Sequence, residues 1–130
     1  MSVKRVLIVD DDSVARLFVQ AVMENAGWVV LEGINGEEAV EKSESEQPDL
    51  VILDVSMPVM DGFEAFRQIR KNPLTAKIPI IMLTGINLEA GEQYTAEAME
   101  RRFGVERPEG FVEKPVDAVF LLNSVMGVVG

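Results

Sequence analysis

Three runs of four apolar residues limit what this chain can become: Val6-Leu7-Ile8-Val9, Leu50-Val51-Ile52-Leu53 and Ile80-Ile81-Met82-Leu83. Each is too short for a core helix and lacks the apolar and polar alternation of a strand with one wet face. Each therefore suits a strand buried on both faces. Longer amphipathic segments separate them, and this alternation marks an α/β fold with a parallel sheet. Strands are predicted over residues 5–9, 29–32, 50–54, 79–83 and 110–112. Helices are predicted over 13–26, 36–45, 62–71, 88–103 and 116–126, with stops at Gly27, Pro73, Gly104 and Gly127. Right-handed crossovers in a doubly wound sheet of five strands and five helices favour the order 2-1-3-4-5.

Every central strand ends in a residue able to do chemistry. Asp10 and Asp11 follow the first apolar run, Asp54 the second and Thr84 the third, while Lys114 follows Phe111-Val112-Glu113. In an open parallel sheet the C-terminal strand ends face one crevice, so these groups share it. Two carboxylates about 4 Å apart repel by roughly 4 kcal/mol at an effective dielectric near 20. Three of them imply raised pKa values or a bound hard cation such as Mg²⁺, with Mn²⁺ an alternative. Singly, Asp10 to Asp12 suit a helix cap, Asp54 a turn, Thr84 a backbone hydrogen bond and Lys114 a surface charge. Jointly, a carboxylate nucleophile, a metal, a hydroxyl and an ammonium suit phosphoryl transfer to Asp54.

Composition removes competing chemistry. No Cys and no His are present, which excludes disulfides, thiolates, His ligands and His-based triads within the chain. The net charge of −10, from 22 acids against 12 bases, argues against binding nucleic acid or an anionic membrane. Arg67, Arg70 and Lys71, and likewise Arg101 and Arg102, are expected on solvated helix faces. The expectation is one domain over residues 1–130, without an output domain, in the cytoplasm.

The strings IVDDDS, LVILDVSMPVMDG, IIMLTG and FVEKP, in this order and each at a predicted strand end, resemble the response-regulator receiver domain of two-component phosphorelay signalling. The resemblance implies a flavodoxin-like fold and a switch rather than an enzyme. By that resemblance Asp54 is phosphorylated from the phosphohistidine of a partner kinase or phosphotransfer protein. Asp10, Asp11, Asp54 and the main-chain carbonyl of Ser56 hold Mg²⁺, partly through water. Thr84 binds the new phosphoryl group, Gly85 keeps the approach open, and Lys114 pairs with it. The Lys114-Pro115 bond resembles the family's cis peptide, and Phe111 takes the switch-aromatic position, although an aromatic on a short strand also suits ordinary core. Asp61 is expected to cap the third helix, and Met60 to fill core gaps.

Ser56 and Ile86 stand where the family tunes phosphoryl lifetime, and neither is an amide or an acid. Slow self-dephosphorylation is the expectation, because no side chain there positions a water. The spacing of 30 from Thr84 to Lys114 exceeds the family's usual one, so the fourth helix and the output face formed with the fifth strand and fifth helix are expected to depart from the family's pattern. The fifth helix carries Val119, Phe120, Leu121, Leu122, Val125 and Met126 around much of its circumference, which suits either cover by the extended segment or a partner or homodimer surface.

Three other functions compete. Asp10-Asp11-Asp12-Ser13 superficially resembles the nucleophile motif of haloacid-dehalogenase phosphatases, but the acid pair expected after the lysine is missing. A flavodoxin-like nucleotide or flavin module would need a Gly-rich loop after the first strand. A phosphorylation-independent receiver fold, acting only through its surface, would not need the intact set of acids, Thr84 and Lys114.

Overall fold

In a computed structural model, which describes residues 3–57, 59–84 and 108–129, five parallel strands form one sheet: β1 (Arg5–Val9), β2 (Val29–Gly33), β3 (Leu50–Asp54), β4 (Ile80–Thr84) and β5 (Gly110–Glu113). Their order is β2-β1-β3-β4-β5, as expected, with register pairs such as Leu7 with Val51 and Leu53 with Met82. The helices among the described residues are α1 (Ser13–Asn25), α2 (Gly36–Glu46), α3 (Gly62–Lys71) and α4 (Ala118–Val129). The helix predicted over 88–103 lies outside the described residues.

The two-residue period of a strand divides the apolar runs between two core layers. Leu7, Val9, Val51, Leu53, Ile80 and Met82 face Ala39 of α2 and Ala65, Phe66 and Ile69 of α3. Val6, Ile8, Leu50, Ile52, Ile81 and Leu83 face Val19 and Met23 of α1 and Leu121 and Val125 of α4. All twelve strand residues are fully buried, each contributing about 1.5–3 kcal/mol of hydrophobic stabilisation. Met60 is partly buried against the first layer.

The helix starts are capped by short acids and an amide. Asp12 Oδ1 accepts from the Val14 amide at 2.9 Å, Asn35 Oδ1 from Glu38 at 2.9 Å and Asp61 Oδ1 from Glu64 at 2.9 Å. Most boundaries fall within one residue of expectation, and the starts of β4 and α4 and the end of α4 have identifiable causes. β4 begins at Ile80 rather than 79, because Pro79 has no amide to donate, although its carbonyl accepts from Val51 at 2.9 Å. α4 begins at Ala118, capped by Asp117 Oδ1 on the Phe120 amide at 2.9 Å, and runs through Gly127 to Val129. Gly127 does not end it, because Val128 and Val129 are drawn onto the core layer beneath α1 and α4.

Arg70 also departs from expectation. Instead of facing solvent it is buried, with its guanidinium 5.1 Å from the Phe66 ring centroid and donating to the Ile78 carbonyl at 2.7 Å. It also pairs with Glu109 at 2.5 Å, whose carboxylate accepts from the Ile80 amide at 2.7 Å. The pair joins the end of α3 to the starts of β4 and β5. Lys71 is exposed as expected, and Arg67 pairs with Glu64 on the same helix. Arg101 and Arg102 lie outside the described residues. No helix among the described residues is long and apolar enough to cross a membrane.

Val59, between β3 and α3, has φ of 69°, in the left-handed region where a β-branched side chain is strained. It is 77% exposed, so no burial offsets the strain. Val59→Asn, which tolerates this conformation, is expected to stabilise the protein by about 1 kcal/mol and raise Tm by roughly 3–5 °C. An unchanged or lower Tm by calorimetry would refute the strain.

Candidate functional site

The crevice at the C-terminal ends of β1, β3 and β5 gathers the predicted acids and lysine, and Thr84 closes the neighbouring strand β4. Asp10, leaving β1, is fully buried; its amide donates to the Gly33 carbonyl at 3.1 Å and its Oδ1 accepts from the Asp12 amide at 2.9 Å. Asp11 follows and is exposed, while Asp54 closes β3 and is buried. One carboxylate oxygen from each of these three acids lies within 4.8 Å of the others.

Lys114, just after β5, reaches into this group. Its Nζ lies 2.8 Å from Asp10 Oδ2 and 3.0 Å from Asp54 Oδ1. Its main-chain amide donates to the Thr84 carbonyl at 2.7 Å, so the ammonium and the backbone of one residue tie three strand ends together. The Lys114-Pro115 peptide is cis.

Electrostatics follow from the crowding. Burial raises the Asp54 pKa most, the Lys114 hydrogen bond opposes it, and Asp10 and Asp11 add repulsion; the result is about 6 against an ordinary 3.8. Burial disfavours the Lys114 ammonium, but its hydrogen bonds and ion pairs with Asp10 and Asp54 together outweigh that and raise its pKa. Three acids against one ammonium leave the crevice negative.

A divalent cation fits this donor set. Asp10 Oδ2 is buried and already faces a cation, the Lys114 ammonium at 2.8 Å. Hard carboxylate oxygens with an exposed acid at the rim, Asp11, leave room for the waters that Mg²⁺ retains.

Thr84 is buried at the end of β4. It lines a depression of about 640 Å³ with Phe111, Glu113, Pro115, Asp117, Phe120 and neighbours. Phe111 is half-buried, against the layer that holds Met82. Ser56 is exposed in the loop after Asp54. Gly85 and Ile86 lie outside the described residues.

A family model, the response regulator receiver domain, matches residues 6–126. The chain belongs to the response-regulator receiver family. This receiver domain is 35% identical to the protein PilH of Pseudomonas aeruginosa over 95% of its own length and 96% of PilH. It also matches a protein-glutamate methylesterase/protein-glutamine glutaminase of Archaeoglobus fulgidus at 38% identity, where it spans 93% of itself but 32% of that protein. Among solved structures it resembles the Vibrio cholerae chemotaxis protein CheY4, with a TM-score of 0.80, 29% identity, and 98% and 99% of the two chains covered. The fold alone is shared with the receiver domain of the Pseudomonas aeruginosa sensor histidine kinase PA1611, a structure with a coordinated magnesium ion, at a TM-score of 0.82 and 24% identity over 99% of each chain. Receiver domains are signalling switches that accept phosphate from histidine kinases or phosphotransfer proteins and bind Mg²⁺ in an acidic site.

Family membership and geometry weigh together against a haloacid-dehalogenase phosphatase with Asp10 as nucleophile. In the receiver domain Asp10 is fully buried and one of its oxygens is held by the Asp12 amide.

Two contributors to the site escaped the sequence reading. The sequence marks Gly62 only as the start of the third helix, yet its amide donates to the Val55 carbonyl at 2.8 Å and a Cβ there would stand 2.1 Å from the Asp54 carbonyl. That close approach needs a glycine and nothing in the local string reveals it. Arg16 donates through Nη1 to the Asp10 carbonyl at 2.7 Å. A signal for it did exist: Arg16, Val19 and Met23 share helical spacing, and a charge on a core-facing stripe requires an inward partner.

Proposed function

We propose that this receiver domain is a phosphorylation-controlled switch in which Asp54 accepts one phosphoryl group from the phosphohistidine of a partner kinase or phosphotransfer protein. The observation that carries this is the Lys114 ammonium shared between Asp10 Oδ2 and Asp54 Oδ1, beside a third converging carboxylate. In the transfer, the donor's P–N bond breaks, a P–O bond forms to Asp54, and the leaving imidazole takes a proton. Asp54 presents an oxygen already desolvated and aligned by Lys114, which pairs with the transferred group afterwards. Asp10, Asp11, Asp54 and the Ser56 carbonyl would hold Mg²⁺, which supplies neutralisation of charge on the phosphoryl oxygens. Hydrolysis of the acyl phosphate restores Asp54, slowly, since Ser56 and Ile86 offer no acid or amide to orient water.

The Thr84 hydroxyl binds the phosphoryl group, and Gly85 leaves its approach open. Movement of Thr84 changes the depression it shares with Phe111, and so the surface of β5 and α4. That surface carries Val119, Phe120 and Met126, each more than half exposed, and is where a downstream protein or a second copy would dock. The test of the acceptor is the intact mass of the parent and of Asp54→Asn after incubation with Mg²⁺ and acetyl phosphate.

The donor protein docks on α1. Val14, Ala15 and Phe18 line a groove of about 630 Å³ with Lys114, Pro115 and Val116, and Asp12 at its edge. Val14 and Phe18 are exposed, and Lys114 connects this apolar surface directly to Asp54. Phe18→Glu is expected to slow transfer from a phosphorylated donor protein by about tenfold or more while leaving acetyl phosphate labelling unchanged. Equal slowing of both donors would place Phe18 in folding or chemistry instead.

A further inference from the structure

The acids of the crevice converge only if the chain between Asp10 and Asp11 is held in one orientation. Asp10 is fixed at its amide by Gly33, at Oδ1 by the Asp12 amide and at its carbonyl by Arg16 Nη1, at 2.7 Å. That carbonyl belongs to the Asp10-Asp11 peptide, so its direction sets how the chain enters Asp11. Arg16 is itself braced, because its Nε donates to Glu32 Oε1 on β2 at 3.0 Å and its side chain is only 15% exposed.

Charge alone would make this a poor place for an arginine. A guanidinium near a divalent cation repels it, and Glu32 offsets that charge while keeping the guanidinium plane fixed. The arrangement therefore serves geometry. We propose that Arg16, braced by Glu32, is a positioning residue that orients the Asp10-Asp11 peptide so that both carboxylates meet Asp54 around a divalent cation. The proposal rests on the Mg²⁺ site described above and adds the residue that sets its shape.

Calorimetric titration of the full chain with Mg²⁺ tests it, because the two roles available to Arg16 have opposite signs. Outer-shell partners of metal ligands typically contribute 10–100-fold in affinity, and support through a main-chain carbonyl belongs at the lower end. Arg16→Ala, shown folded by circular dichroism, is expected to bind Mg²⁺ about tenfold more weakly. Arg16→Lys, which keeps a donor and the charge, is expected to recover part of the loss. If Arg16 acts only as a charge, its removal tightens Mg²⁺ binding. If it acts only in stability, Tm falls and affinity does not change. Either result overturns the proposal. Should Arg16→Ala not fold, Arg16→Gln decides: binding weaker than the parent supports positioning, and equal or tighter binding refutes it. Asp11→Asn in the same titration separates the underlying claim. No Mg²⁺ binding by the parent, or binding unaffected by Asp11→Asn, overturns the metal site and this proposal with it.

Discussion

Incubated with Mg²⁺ and acetyl phosphate, the protein is expected to gain a single hydroxylamine-labile phosphoryl group, and Asp54→Asn none. The expectation discriminates among three neighbouring acids. Asp10 is fully buried, with Oδ1 held by the Asp12 amide and Oδ2 by the Lys114 ammonium. Asp11 stands exposed at the rim. Asp54 lies at the centre, with Lys114 on Oδ1 to receive the charge that arrives. Acyl phosphates react with hydroxylamine and phosphate esters do not, so the lability assigns the bond to a carboxylate rather than to Thr84 or Ser56. A gain that persists in Asp54→Asn would reject the acceptor. A parent that binds Mg²⁺ yet takes phosphate from neither acetyl phosphate nor a phosphohistidine protein would reject the switch and leave an interaction module.

The second large effect is on stability. In the unfolded chain Asp54 titrates near its ordinary 3.8 and in the fold at about 6. Between those values the folded state keeps a proton that the unfolded state has released, so stability falls as pH rises through this window. Above it the metal-free protein carries the full cost, on the order of 3 kcal/mol from the size of the shift. Lys114 stays charged throughout, since its pKa is raised from 10.5. Urea denaturation in chelator is therefore expected to find Asp54→Asn more stable than the parent at about pH 8, by up to ~3 kcal/mol. The gap should close near pH 4, and Mg²⁺ should narrow it at about pH 8 by stabilising the parent. A gap that does not widen with pH would mean the Asp54 charge is not held at a cost.

Much of this architecture was legible in the sequence because burial on both faces leaves an unmistakable string. Val6 to Val9 and Leu50 to Leu53 could be little else than central strands, and the order of the sheet followed from crossover handedness. The acids and Thr84 stood out because they follow such strings, and Lys114 because it follows the last predicted strand and precedes a proline. What escaped depends on distant residues. Arg70 read as a solvated cation, since Glu109, which pairs with it, lies far along the chain just before β5. Gly127 read as a stop because a glycine after an apolar stretch usually is one, but packing of Val128 and Val129 overrode the local preference. Gly62 and Arg16 touch backbone carbonyls, and a carbonyl carries no signature in the sequence.

Lys114 has a consequence for whatever binds this protein. Its ammonium stands on Asp54 while its amide hangs from the Thr84 carbonyl, at the margin of the depression lined by Phe111 and Phe120. With Asp54 as the proposed acceptor, two sites joined through one residue would obey reciprocity: a ligand preferring the phosphorylated shape of the depression would favour the phosphorylated state of Asp54 by the same factor. A partner gaining tenfold in affinity from phosphorylation thus returns about 1.4 kcal/mol to the phosphorylated state. The occupancy of Asp54 in a cell would then report the abundance of its targets as well as the activity of its donor.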